Sequence, residues 1–127
     1  MIFIKEKKYK EIIDLINLSK FSESLNLLKN LENLYYNDVN FNNLIGFVYQ
    51  NLNDFNNANN YYRKSLELDN TNFDTNFNIG ILNYKKKNFK EAEKIFVNLS
   101  KKFASTFQFK NLCKWFKWAN LSGNKRK

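Results

Sequence analysis

Covalent catalysis, proton relay and metal binding each need particular side chains close together, and this chain of 127 residues holds few of them. It has no histidine, so the side chain best suited to proton transfer near neutrality and to metal ligation is missing. Its one cysteine, Cys113, has no second thiol for a CxxC ligand pair or an intrachain disulfide, and it reads as a small packing residue in a reducing compartment. The three glycines are isolated and form no phosphate-cradling loop. Glu91 and Glu93 are two residues apart, a step that turns them to different faces of a helix. No catalysis, cofactor or metal site is expected from this set.

The residue types that remain are suited to binding. The formal net charge is +9, and it is unevenly placed: from Lys85 onward there are thirteen basic and two acidic residues, against eight basic and ten acidic before it. Abundant Asn, Lys, Ile, Phe and Tyr are what an AT-rich coding sequence produces, but that bias does not explain the asymmetry. Lys85, Lys86, Lys87, Lys90, Lys94, Lys101 and Lys102, with Lys110, Lys114 and Lys117, are either a solvated surface that keeps the protein dissolved or a docking surface for an acidic peptide, an anionic lipid face or nucleic acid. Both tryptophans, Trp115 and Trp118, fall in the same lysine-bearing run. They either cover the edge of the preceding element or touch a ligand, a second chain or a membrane surface.

These residues need elements to hold them, and the elements repeat. Ile45-Gly46 returns as Ile79-Gly80 and Ala58 as Ala92, each 34 residues later. Phe21, Phe55 and Phe89 keep the same step, as do Leu28, Tyr62 and Phe96, with Ser24 in the slot of the two alanines. Each unit reads as two helices: Ile45, Gly46 and Tyr49 mark one face, and Phe55, Ala58 and Tyr62 another. Asn53-Asp54 and Lys87-Asn88 are the turns between them, and Asp38 and Asn72 stand one period apart where helix N-caps are needed. The small residues are expected where two antiparallel helices cross, with Phe55 and Phe89 filling the space beside the turn.

The pattern resembles the tetratricopeptide repeat, a 34-residue helix-turn-helix unit. The second unit matches best, with Ile45, Gly46, Tyr49, Phe55, Ala58, Tyr62 and Ser65. The third follows with Ile79, Gly80, Phe89, Ala92 and Phe96 but has Asn83 at an aromatic slot, and the first has Ile12 at the small-residue slot. Asn42 and Asn76 stand where the pattern has an aromatic, and Asn70 replaces the closing proline. The resemblance implies an all-α, right-handed superhelical solenoid, with one domain over 1–122, repeats at about 5–38, 39–72 and 73–105, and a basic tail at 123–127. Phe109, Leu112, Cys113 and Phe116 repeat the first-helix spacing, so a capping helix is expected over about 106–121.

In such repeats the first helices line a concave groove. That register puts Tyr9, Ile13 and Ile16 on its wall, then Asn43, Phe47 and Gln50, then Phe77, Ile81 and Tyr84, with Lys110, Lys114 and Lys117 at a basic end. An apolar floor with amides suits a protein or peptide segment with apolar anchors and some acidic residues, and makes the chain a non-catalytic interaction scaffold. The alternative is that these residues pack between neighbouring first helices. Members that clamp the acidic C-termini of chaperones use cations at set groove positions, and here those positions hold Tyr9, Ile13, Phe47 and amides, so that ligand is not expected. Other readings are nucleic-acid or anionic-surface binding by the basic half, an accessory repeat region of a larger enzyme, and self-association through the terminal helix. No run reaches the roughly 18 apolar residues of a membrane span, and the N-terminal MIFIKEKKYKE lacks a secretory apolar core. A cytoplasmic protein is expected.

Overall fold

The computed structural model describes residues 2–102, with side chains from Lys7 onward. Six helices and no strand occur among the described residues: α1 (Ile2–Asn17), α2 (Phe21–Tyr35), α3 (Val39–Asn51), α4 (Phe55–Leu68), α5 (Phe73–Lys85) and α6 (Phe89–Lys102). The expected capping helix, with Cys113, Trp115, Trp118, Lys110, Lys114 and Lys117, lies outside the described residues, as does the tail. The chain divides into two compact units, Met1–Asn70 with α1 to α4 and Thr71–Lys127 with α5 and α6.

The 34-residue period is a period of backbone geometry. Each hairpin turns on three residues, and the middle one is left-handed every time: Ser19 (φ 59°), Asn53 (φ 62°) and Lys87 (φ 67°). Each turn closes the same pair of hydrogen bonds. Lys20 N–H donates to Leu15 C=O, Asp54 to Tyr49 and Asn88 to Asn83, at 2.8, 2.9 and 2.8 Å. The left-handed residue itself donates three residues back, to Ile16, Gln50 or Tyr84. This is the Schellman closure, which uses carbonyls the helix end would otherwise leave open.

Helix starts follow the sequence signals. Asp38 Oδ1 accepts from Phe41 N–H and Asn72 Oδ1 from Thr75 N–H, both at 2.9 Å. Asp54 caps α4 through Asn57 N–H at 3.2 Å, whereas Lys20, in the same place before α2, supplies no side-chain cap. Asn42 and Asn76 satisfy their unexpected slots through the backbone. Asn42 Nδ2 donates to Tyr36 and Asp38 carbonyls, both at 2.9 Å, and Asn76 Nδ2 donates to Asn72 C=O at 2.8 Å.

Packing inside each hairpin rests on the small-residue crossing. A Cβ at Gly46 would lie 2.6 Å from the Tyr62 ring, and one at Gly80 would lie 2.5 Å from Phe96. Ordinary carbon contacts start near 3.5 Å, so only glycine lets these aromatics seat. The first hairpin fills the crossing differently: Ile12 stands in the glycine slot and Leu28, smaller than Tyr62 or Phe96, in the aromatic slot, and both lie in one buried cluster with Phe41, Ile45, Val48 and Tyr61. In the second unit Ala92, Phe96 and Leu99 of α6 pack with Phe73, Phe77, Ile81 and Tyr84 of α5. Tyr84 meets Phe89 edge-on at 5.2 Å beside the turn, as expected for Phe89.

Candidate functional site

The first-helix residues expected to face a partner do not share one environment. On α3, Asn43 and Phe47 are half-buried, and Phe47 is not among the side chains that pack on the α1–α4 cluster. Gln50 is corrected: it is 1% exposed, and its Oε1 accepts a 3.0 Å hydrogen bond from the Tyr62 hydroxyl inside the α3–α4 hairpin. Burial pushes the Tyr62 hydroxyl well above the usual phenol range, so it stays a neutral donor to that amide. Gln50 therefore holds α4 to α3 and offers nothing to a ligand. Register alone could not separate it from Phe47, because three residues along a helix move a side chain by about 60°.

On α5, Phe77, Ile81 and Tyr84 are half-buried and lean on the α6 cluster, with Phe77 and Phe96 ring centroids 5.7 Å apart. They are core on one side and surface on the other. On α1, Ile13 is 40% exposed, while Tyr9 and Ile16 pack on the cluster beside it. The Tyr9 ring meets Tyr35 edge-on at 6.3 Å. Burial first, and the nearby Asp38 charge second, hold the Tyr9 hydroxyl in its neutral form.

The basic residues behave differently. Lys85 and Lys86, at the C-terminal end of α5, are exposed, as are Lys87, Lys90, Lys94, Lys101 and Lys102. No group of three potential metal ligands occurs among the described residues, and none of their helices is long and apolar enough to cross a membrane.

One cluster was invisible in the sequence. The Tyr61 hydroxyl of α4 donates to Glu32 Oε2 of α2 at 2.5 Å, and Lys29 Nζ donates to the Tyr61 oxygen at 2.9 Å. Lys29 also pairs with Glu32 at 2.8 Å, and Lys64 Nζ sits 4.6 Å from the centre of the Tyr61 ring. Tyr49 stacks on that ring, with centroids 5.6 Å apart. Burial pushes the Glu32 carboxyl up, but hydrogen bonds from Lys29 and Tyr61 together outweigh it and leave the pKa below the ordinary value. The same bonds, Glu32 first and Tyr61 second, hold Lys29 protonated. The only sequence trace of this knot is Lys29–Glu32 at i,i+3; Tyr61 comes from 29 residues away. Its groups satisfy one another.

Comparison with known proteins agrees with this architecture. Residues 39–72 match the family described as tetratricopeptide repeat. No curated protein matches the chain in sequence. Among solved structures it is similar to the Yersinia enterocolitica type III secretion chaperone SycD in complex with a peptide of the translocator YopD. That match has TM-score 0.78 and 18% identity, over 98% of this chain and 95% of that one. PcrH in complex with the chaperone binding region of PopD gives TM-score 0.78 and 14% identity, over 100% and 96%. The Sgt2 domain from Aspergillus fumigatus gives 0.71 and 11%, over 94% and 81%. The chain therefore has the tetratricopeptide-repeat fold, and residues 39–72 are one of its repeats.

Proposed function

We propose that the chain is a non-catalytic scaffold that holds a segment of a partner polypeptide on the exposed sides of its first helices. Asn43 and Phe47 of α3 supply one contact surface, and Phe77, Ile81 and Tyr84 of α5 supply another. The observation that carries this reading is Phe47: a large aromatic, partly open to solvent, on a helix whose adjoining face is locked to α4 by Gly46, Tyr62 and Gln50. A side chain held on so rigid a support meets a partner with little ordering cost of its own. The similarity in fold to SycD and PcrH, both solved with a bound piece of another protein, supports the same class of function.

The test pairs Phe47→Ala with Phe77→Ala. Proteins captured by the wild-type chain from its native lysate are identified, and the captured segment is titrated against both forms by calorimetry. Far-ultraviolet circular dichroism confirms that the double variant keeps its helices. Loss of at least tenfold in affinity is expected. Unchanged affinity in a folded double variant overturns the proposal.

A further inference from the structure

The three repeats provide an internal control for the lysines. Lys85, Lys86, Lys87, Lys90, Lys94 and Lys101 occupy six defined positions of the third repeat. One period earlier the same positions hold Asn51, Leu52, Asn53, Asn56, Asn60 and Glu67. Two periods earlier they hold Asn17, Leu18, Ser19, Ser22, Asn26 and Asn33. Neither set contains a cation, so the fold does not require one at any of these places. Nor does composition, which acts on all three repeats alike.

Geometry gathers the six. With about 100° per residue, Lys90, Lys94 and Lys101 fall within about 40° of one another on α6, and the buried Ala92, Phe96 and Leu99 lie on the opposite side. The stripe runs about 16 Å along the helix, and Lys85, Lys86 and Lys87 stand at the end of α5 and in the turn that leads into α6. All six side chains are exposed, and none takes part in an ion pair or hydrogen bond among the described residues. Lys87 even occupies the left-handed turn position, at φ 67°, which disfavours a side chain of this kind. By contrast Lys29, in the first repeat, is tied to Glu32 and Tyr61.

We propose that this stripe is a binding surface for the phosphate backbone of nucleic acid. Among the described residues it is a track of point charges without arginine, flanked by the exposed carboxylates of Glu91 and Glu93, and the one large exposed apolar side chain on α6 is Val97, 39% exposed. Such a track lacks the apolar wedge of a membrane-inserting helix and the bidentate or stacking groups that read bases. It matches a uniform linear polyanion, whose condensed counterions are released on contact. The stripe faces away from the α5 side of its hairpin, so this partner is separate from the polypeptide proposed above.

Binding of the full-length chain to a duplex of about 20 base pairs, followed by fluorescence anisotropy across salt, tests the assignment. Six phosphate contacts give a slope of log K against log salt near −5, which is on the order of a thousandfold loss between 50 and 200 mM. The informative variant is Lys90→Asn with Lys94→Asn, because asparagine already occupies both positions in α4. It is expected to weaken binding at least tenfold and to reduce the slope by about 2. A control of equal charge change on α1, Lys7→Asn with Lys10→Asn, is expected to leave both nearly unchanged. Absence of duplex binding at 50 mM salt overturns the proposal, as does an equal loss in the two variants. Tighter binding to polyglutamate or to phosphatidylserine-rich vesicles than to the duplex overturns it as well.

Discussion

Substituting Gly80 by alanine sets two effects of similar size against each other, and the structure decides between them. Alanine in a helix interior is favoured over glycine by about 1 kcal/mol. Its Cβ, however, would sit 2.5, 2.8 and 3.1 Å from three carbons of the Phe96 ring. The nearest contact is about 1 Å short of van der Waals separation. Phe96 is 3% exposed and lies against Phe77, so the ring has no free direction in which to retreat. Overpacking of this kind costs about 1–3 kcal/mol, and the higher end applies where the obstacle is a rigid ring. Gly80→Ala is therefore expected to destabilise the protein by about 1–2 kcal/mol net. Phe96→Leu alone costs about 1–2 kcal/mol through the space it leaves. The double variant should be more stable than the sum of the two, because leucine makes the room that the methyl group needs. It approximates the pairing already present in the first repeat, where Ile12 and Leu28 share a buried cluster. Urea denaturation of the four proteins measures the cycle, with constant m-values confirming comparable transitions. A coupling energy of at least about 1 kcal/mol is expected. Additivity within about 0.5 kcal/mol, or a Gly80→Ala protein more stable than wild type, would refute the steric account of the repeat's small residue.

Two further outcomes concern the turn and the half-buried knot around Tyr61. Lys87→Gly should raise stability by about 0.5–1 kcal/mol, since glycine adopts φ 67° without a side-chain penalty, whereas Asn53→Gly should change it little because asparagine tolerates that region; thermal denaturation of the two variants side by side checks the contrast. Glu32 has a folded-state pKa below the ordinary carboxylate value, held there by Lys29 and Tyr61 against the upward push of burial. Its contribution is therefore complete above the unfolded-state carboxyl pKa and is lost as pH falls through the folded one. Glu32→Gln should lower stability at pH 7 and flatten the acid side of the stability profile, and an unchanged acid limb in urea titrations would contradict that assignment.

The fold was readable because the features that set it are local and repeated. Gly46 and Gly80 mark the crossings through their spacing alone, and the partners that forbid a side chain there, Tyr62 and Phe96, stand in the same register. Asp38 and Asn72 could be assigned as caps for the same reason. Individual side-chain directions were less readable. Gln50 and Phe47 share a helix and were given to one face, but the Tyr62 hydroxyl needs an acceptor when buried and takes the amide inward. The Tyr61 knot depends on which residues of α2 and α4 meet across a hairpin boundary. No spacing rule within one helix contains that information.

Compositional bias acts on asparagine and lysine alike and yet means different things for each. Asparagine proved to be structural at several positions that composition alone would dismiss. Asn42, Asn51, Asn76 and Asn83 each return a side-chain amide proton to the carbonyl four residues back, at 2.9, 2.9, 2.8 and 2.9 Å. A bias toward asparagine is thus absorbed by the helices, which give the amide a local partner wherever it falls on the right face. Lysine has no such outlet at the α5–α6 turn and along the outer side of α6, where none of these ammonium groups pairs with an acceptor among the described residues, the neighbouring Glu91 and Glu93 included. A drift that supplied lysine without selection would have spread it over equivalent positions of all three hairpins. Its concentration in one hairpin, at sites where the other two carry amides, hydroxyls, leucine or glutamate, is the difference on which the phosphate-binding proposal for the third repeat rests.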